Sequence, residues 1–311
     1  KVLPACLKSI YEQTRRTQFE VIISDNGSTD GSLDFVRKEY PQTRILENKA
    51  NLGYARGNNV GIAAAAGDYI LILNPDTIIH DSALDRWIDY ADQHPEAGAF
   101  GCNVLNPDGS WQTPARPFPT NWHYTKVALR IRQNCYRFWR GQTPRPIDWQ
   151  SGCCVLVRGK LLKDLGGFDE RFFYHYEEVD LCYRVWQAGH KILYSPDVVI
   201  THLGGQSVGR FPIRFELEKF RNRYRYFHKH FGLAGAKRTR LVALLHLRIR
   251  QLGYGLAGFV RRSEAMKNRM EMLRVVTRWN KELDVRKFIE SGEEPNLGYE
   301  PLAPAPKMAV V

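Results

Sequence analysis

The chain has 311 residues, of which 43% are hydrophobic, 25% charged and 12% aromatic; this excludes both a mini-protein needing disulfide or metal staples and a chain dominated by disorder. Its net charge of +12 is concentrated: residues 221–290 hold 18 Lys or Arg against 5 Asp or Glu, and the other 241 residues carry 27 against 28. A neutral body with a basic C-terminal segment suggests chemistry in the body and an anionic surface for the segment, although a solvated basic helical face would give the same balance.

Along the chain, β-type runs alternate with helical stretches, the pattern of an α/β sheet with crossover helices. Residues 19–24 (FEVIIS) read as a strand, 30–40 as a helix, 43–48 as a strand, 53–66 as a Gly- and Ala-rich helix and 68–76 (DYILILNPD) as a strand. A helix over 81–94 and a strand over 97–105 follow, and NPDGS at 106–110 carries the Asp-Gly chemistry of a hairpin turn. Between Pro114 and Pro146 the periodicity dissolves, which predicts a long loop with one helix. Regular signals over 147–157, helices over 159–165 and 177–188 and short strands near Ile192 and Val198 complete the body. The division expected is a catalytic domain over 1–211, a basic helical segment over 212–290 and a disordered tail over 291–311.

Six cysteines (Cys6, Cys102, Cys135, Cys153, Cys154, Cys182) show neither CxxC nor zinc spacing and read as reduced thiols. The longest apolar stretch, Leu241 to Val260, contains His246, Arg248 and Arg250. Each arginine at a bilayer centre costs roughly 2.5 to 3.5 kcal/mol, so a membrane span is not expected.

Four segments carry chemistry. SDNGSTDGS (24–32) follows a buried strand, where Asp25 can accept hydrogen bonds from a base or ribose; an Asx-capped turn would use the same residues. In NLGYARGNNVGI (51–62), Gly53, Gly57 and Gly61 line one side of a helix, so a ligand or another backbone can approach, and Arg56 offers charge to a phosphate. Asn74-Pro75-Asp76 ends the most apolar strand and suits a hard divalent cation that also meets diphosphate oxygens. GGFDERFFYHYEEVDLCYR (166–184) crowds Glu177, Glu178 and Asp180 onto a helix start behind an aromatic run, an environment for a general base or for acids complementing the helix dipole. Downstream, His202 ends a strand as a candidate metal ligand.

Taken in this order, these residues resemble the inverting glycosyltransferase family 2, with its nucleotide-sugar-binding GT-A fold, a mainly parallel α/β sheet flanked by helices. The likeness runs from about Leu3 to Phe231 and is nearest to bacterial rhamnosyltransferase-like members. It implies that Asp25 reads the nucleotide base, that Asn51, Gly53, Arg56 and Asn59 line the nucleotide pocket, and that Asn74 and Asp76 hold diphosphate and metal. It further implies Glu178 as catalytic base with Glu177 as its positioning partner, His202 as a late ligand to Mg2+ or Mn2+, and acceptor contacts at Trp149, Gly152 and Cys153. Asn74 stands where a full DxD motif has its first aspartate, and Glu178 where Asp is usual. The family's buried first strand has no counterpart before Lys1-Val2-Leu3-Pro4, so the chain reads as N-terminally truncated.

The resemblance implies transfer of a sugar such as L-rhamnose from a nucleotide-diphosphate donor to a lipid-linked or cell-envelope glycan, for instance a polyprenyl-diphosphate sugar. The alternative is a catalytically inactive sugar- or nucleotide-binding module. A nucleic-acid partner is not expected, because the basic residues lie beyond Arg221, away from every motif. Leu241, Leu244, Leu245, Leu252, Leu256 and Phe259, with Lys237, Arg238, Arg240, Arg248, Arg250, Arg261 and Arg262, suggest helices lying on an anionic membrane surface. The expected location is the inner face of the cytoplasmic membrane.

Overall fold

The computed structural model describes residues 2–112, 115–129, 131, 145–204, 212–260, 264–297 and 307–310. The chain divides into two compact units, one of residues 1–118, 138–206 and 304–311, the other of 119–137 and 207–303.

The first unit is a layered α/β structure. Its elements in chain order are α1 (Leu3–Gln13), β1 (Ile22–Asn26), α2 (Ser32–Glu39), β2 (Arg44–Glu47), α3 (Gly53–Ala64), β3 (Tyr69–Leu73), β4 (Thr77–Ile79), α4 (Ala83–Asp92), β5 (Ala97–Leu105), β6 (Trp111–Gln112) and β7 (Ala115–Arg116). After α5 (Asn121–Ala128), which belongs to the second unit, come β8 (Arg145–Pro146), β9 (Trp149–Gln150), β10 (Cys154–Arg158), α6 (Gly159–Asp164), α7 (Glu177–Gln187) and β11 (Lys191–His202).

The sheet order is β2-β1-β12-β3-β10-β5-β11-β4, with β6 added to β5 and β8 to β11; β12 is Lys307–Val310, within the stretch expected as a tail. Strands β1, β2, β3, β5 and β11 run one way, and β10, β4 and β12 run against them. Central strands are continuous apolar runs because helices cover both faces: Ile72 and Leu73 of β3 and Cys154 to Val157 of β10 are all buried. Leu7 of α1, Trp87 of α4, Phe100 of β5 and Ile200 of β11 belong to one core. The two short strands expected near Ile192 and Val198 are one strand, β11, whose pairing with β5 shifts register between Ser195 and Val199. That irregularity absorbs Pro196, which has no N–H to give to the ladder.

The second unit packs α5 with α8 (Pro212–Val260), α9 (Glu264–Glu282) and α10 (Val285–Ser291). Gly232, at φ 69° and ψ −178°, breaks α8 into two helices. Tyr224 stacks on Trp279 with ring centroids 6.3 Å apart, and Arg221 bridges Glu218 and Glu294. Arg240 donates to the Asn280 and Lys281 carbonyls at the end of α9, so its cation caps a helix.

Candidate functional site

Carboxyl ends of the parallel strands converge at one edge of the sheet, where open α/β folds place ligands. β1 ends in the buried Ser24-Asp25-Asn26. Asp25 Oδ2 accepts from the backbone N–H of Gly27 at 2.9 Å and of Ser28 at 3.0 Å, so the carboxylate also shapes its own turn. Ser24 Oγ donates to the Gly57 carbonyl at 2.6 Å and Asn26 Nδ2 to the Gly53 carbonyl at 3.0 Å, fastening β1 to α3. Asn51 Oδ1 accepts from the Gly53 N–H at 2.9 Å. Gly53 itself has φ +79°, and a Cβ there would meet the Phe173 ring at 2.6 Å. Only glycine fits that left-handed close approach.

Two further α3 residues, Arg56 and Asn59, meet the 166–170 loop. Asn59 donates to the Phe168 carbonyl at 2.9 Å and accepts from its N–H at 2.8 Å, and Arg56 lies 3.7 Å from Glu170. Asn59 therefore positions a loop with both its amide atoms, whereas Arg56 stays largely exposed.

Asn74 leaves β3 through its N–H, donated to the Cys153 carbonyl at 2.9 Å, while its own carbonyl accepts from Thr77 Oγ1 at 2.7 Å. The β4–β11 register pairs Thr77 with His202, which brings the imidazole to Asp76: Nε2 lies 3.3 Å from Oδ1, both side chains being mostly buried. His202 Nδ1 lies 2.7 Å from Gln112 Oε1.

Across the Ser151–Cys153 turn stands the acid pair. A Cβ on Gly152 would meet Tyr54 Oη at 3.3 Å and Glu178 Cβ at 3.5 Å, so its lack of a side chain lets α3 and α7 converge here. Tyr54 Oη donates to the Gly152 carbonyl at 2.5 Å. The Glu178 Oε2 is buried and meets no hydrogen-bond partner among the described residues. Burial pushes this carboxyl above the usual range, against backbone N–H groups at the start of α7 and the Arg116 guanidinium, which favour the charged form. Arg116 also lies over the Trp149 ring, its Cζ 5.5 Å from the centroid, because β7 pairs with β9 in that register. Trp149 Nε1 donates to the Pro117 carbonyl at 2.9 Å.

Glu177 is 4% exposed and projects about 100° from Glu178 around the helix. Asp180 is fully buried and paired with Arg184 at 2.8 Å, and Arg184 also donates to the Leu165 and Gly167 carbonyls. The third acid of the cluster is thus a brace. Burial raises the Cys153 thiol to about 12, so it stays protonated and packs as an apolar group. The five described cysteines are all free and buried.

Sequence reasoning missed Tyr54, Arg116 and Gln112. Tyr54 lies inside the glycine motif and had a signal; the other two sit on short strands whose meaning comes from pairing. Among the described residues no group of three or more His, Cys, Asp or Glu is placed to hold a metal ion by itself. One carboxylate facing one imidazole nitrogen nevertheless suits Mg2+ or Mn2+, which take few protein ligands and complete their shell with water and substrate phosphates.

The model for the family described as Glycosyl transferase family 2 matches residues 1–166. The N-acetylglucosaminyl-diphospho-decaprenol L-rhamnosyltransferase of Mycobacterium tuberculosis H37Rv is 36% identical over 211 residues, 62% of this chain and 69% of that protein. Rhamnosyltransferase WbbL of Escherichia coli K12 is 25% identical over 203 residues, 62% of this chain and 77% of its own. Among solved structures, the mannosyltransferase PcManGT from Pyrobaculum calidifontis, in complex with GDP-Man and Mn2+, has the same fold with a TM-score of 0.57 at 16% identity, covering 94% of this chain and 84% of that one. The GT-A α/β sheet agrees with these likenesses, and the chain belongs to glycosyl transferase family 2.

Proposed function

We propose that the chain is an inverting glycosyltransferase moving a sugar, L-rhamnose first among candidates, from a nucleoside-diphosphate donor to a hydroxyl of a lipid-linked or cell-envelope glycan. The observation that carries this is Glu178: a carboxyl of raised proton affinity, with a buried unpartnered oxygen, against the glycine turn that leads to Asn74 and Asp76. In a single displacement the acceptor hydroxyl attacks the anomeric carbon opposite the leaving diphosphate, and Glu178 takes its proton, a step worth ~10² to 10⁴ in rate. Glu177 positions the start of α7. Asp25, Asn51 and Gly53 form the nucleoside side, Arg56 and Asn74 lie toward the diphosphate, and Asn59 holds the adjoining loop. Trp149, Gly152 and Cys153 border the acceptor. Asp76 and His202 would hold Mg2+ or Mn2+, which when bound supplies positive charge at the diphosphate. The names of the rhamnosyltransferase relatives support the sugar and the lipid-linked acceptor.

The second unit supports a membrane-surface reading. Leu241, Leu245 and Leu252 are exposed on α8 at helical spacing, and Trp122 of α5 is exposed beneath Lys126. Residues 219–263 contain twelve Lys or Arg and no acid. Lys219, Arg221 and Arg225 pair with acids of this unit and Arg240 caps α9, while Lys237, Arg238 and Arg248 are exposed and carry charge of the sign that an anionic leaflet attracts. Arg261 and Arg262 lie outside the described residues, as do the side chains of Leu256 and Phe259. Among the described residues no helix is long and apolar enough to cross a membrane.

The test is a panel of nucleoside-diphosphate sugars, including an L-rhamnose donor, with a polyprenyl-diphosphate-linked glycan as acceptor, read by NMR of the product. Transfer with inverted anomeric configuration that stops in EDTA is expected. Retained configuration, or no transfer across the panel, overturns the proposal.

A further inference from the structure

The NPDGS hairpin between β5 and β6 reads as a turn, yet its side chains continue into the site. Ser110 Oγ donates to Asp108 Oδ1 at 2.5 Å, Asn106 Nδ2 donates to Ser110 Oγ at 2.9 Å, and Gln112 Nε2 donates to Asn106 Oδ1 at 2.8 Å. The last link is Gln112 Oε1 to His202 Nδ1 at 2.7 Å. Its direction is fixed from both sides. An ionised carboxylate only accepts, and hydrogen bonds from the Ser110 hydroxyl and N–H hold Asp108 below the usual range, in that form. Gln112 Nε2 also donates to the backbone carbonyl of His202 at 3.3 Å, another group that only accepts. Gln112 must therefore turn Oε1 toward the ring, and Nδ1 carries the hydrogen.

In the neutral imidazole, the form that can take a metal, a lone pair on Nε2 then faces Asp76 Oδ1 at 3.3 Å. Two acceptors at that distance repel unless a cation sits between them. Without Gln112 the opposite tautomer would win, because Asp76 would draw the hydrogen to Nε2 and close the ligand position.

We infer that Gln112, anchored by the Asn106–Ser110 hairpin, is a positioning residue that fixes the His202 tautomer and so opens Nε2 to a divalent cation shared with Asp76. The inference rests on the Asp76–His202 metal reading proposed above. Outer partners of ligating histidines commonly contribute 10- to 100-fold in metal affinity.

The experiment uses the full chain with two readouts: Mn2+ binding followed by EPR with the metal alone, and long-range 1H–15N spectra of 15N-histidine-labelled, metal-free protein at about pH 8.5, above the imidazole range. Wild type is expected to show His202 protonated on Nδ1. Gln112→Leu should move the proton to Nε2 and weaken Mn2+ binding 10- to 100-fold, whereas Gln112→Glu, which loses the donation to Asn106 and to the His202 carbonyl but still accepts from Nδ1, should keep the wild-type tautomer. An Nε2–H tautomer in wild type, or a folded Gln112→Leu protein that binds Mn2+ as wild type does, overturns the inference. If Gln112→Leu does not fold, the wild-type and Gln112→Glu spectra still decide. His202→Ala distinguishes the two levels: unchanged Mn2+ affinity there means that the metal reading itself has failed, while a loss there without one in Gln112→Leu removes Gln112 alone.

Discussion

Replacing Glu178 by glutamine separates chemistry from architecture, because the amide keeps the shape and loses only the charge and the basicity. The loss of a general base is expected to slow transfer by ~10² to 10⁴, about 2.7 to 5.4 kcal/mol in the barrier. Stability should move the other way. Burial raises the folded-state proton affinity of Glu178 above its ordinary value; a group shifted in that direction stabilises the fold at low pH and loses that contribution as pH rises through the folded pKa. At pH 8 the native protein therefore carries a desolvated carboxylate that the variant lacks, so Glu178→Gln should melt at or above the wild-type temperature there. Toward pH 4, where both proteins present a neutral group, the advantage should vanish. Nucleotide affinity, by calorimetry, should stay within a few-fold. Glu177→Gln is the comparison, since it lies one residue away on another face of the helix and is also buried. Wild-type turnover by Glu178→Gln, or its loss only in Glu177→Gln, would refute the assignment.

Arg116→Ala removes the cation that favours ionised Glu178, so the acidic limb of kcat/KM against pH should move to higher pH, with Arg116→Lys closer to wild type; an unmoved limb would separate Arg116 from the base. Gly53→Ala combines left-handed strain of about 1 to 2 kcal/mol with overpacking against Phe173 of about 1 to 3 kcal/mol, and urea unfolding should show a loss of ~2 to 5 kcal/mol. A loss under about 1 kcal/mol would mean that neither cost applies. Pelleting with vesicles should require anionic lipid, weaken with salt and fall when Leu241, Leu245 and Leu252 are replaced by serine. Equal recovery with neutral and anionic vesicles at low salt would leave the leucines as ordinary surface.

The elements with a strong local signal were legible in sequence. β5 occupies 97–105 as its apolar run predicts, the Asp-Gly hairpin follows it, and α7 starts at Glu177. β11 was harder, because Pro196 and Asp197 break the pattern of a strand that continues through a register shift. For the candidate site, residue types at two strand ends pointed to Asp25 and Asp76 and those at a helix start to Glu178, since turn chemistry and acid clustering are local. The partners were illegible for a physical reason: His202 reaches Asp76 through the pairing of β11 with β4, and Arg116 reaches Trp149 through that of β7 with β9. Asn59 shows the reverse limit, since a motif position cannot reveal that both its amide atoms hold Phe168.

The two halves of the site are held by different means. Asp76 lies between β3 and β4 and His202 ends β11, and the neighbouring side chains Leu73, Ile79 and Ile200 are buried in the core, so packing fixes this pair. Glu178 instead follows His175 and Tyr176, at φ 71° and 75°, two consecutive non-glycine residues in the left-handed region. Such conformations cost of order 1 to 3 kcal/mol each and persist only where surrounding structure determines them. Here Phe172 is buried just before them and the Asp180–Arg184 pair braces the helix just after. That brace ties α7 to the Leu165 and Gly167 carbonyls, and the next residue along, Phe168, is the one Asn59 clamps to α3. The strained entry thus aims Glu178 at the Gly152 turn while the loop that closes behind it is anchored to α3, which couples the position of the proposed base to that of the helix proposed to line the nucleoside.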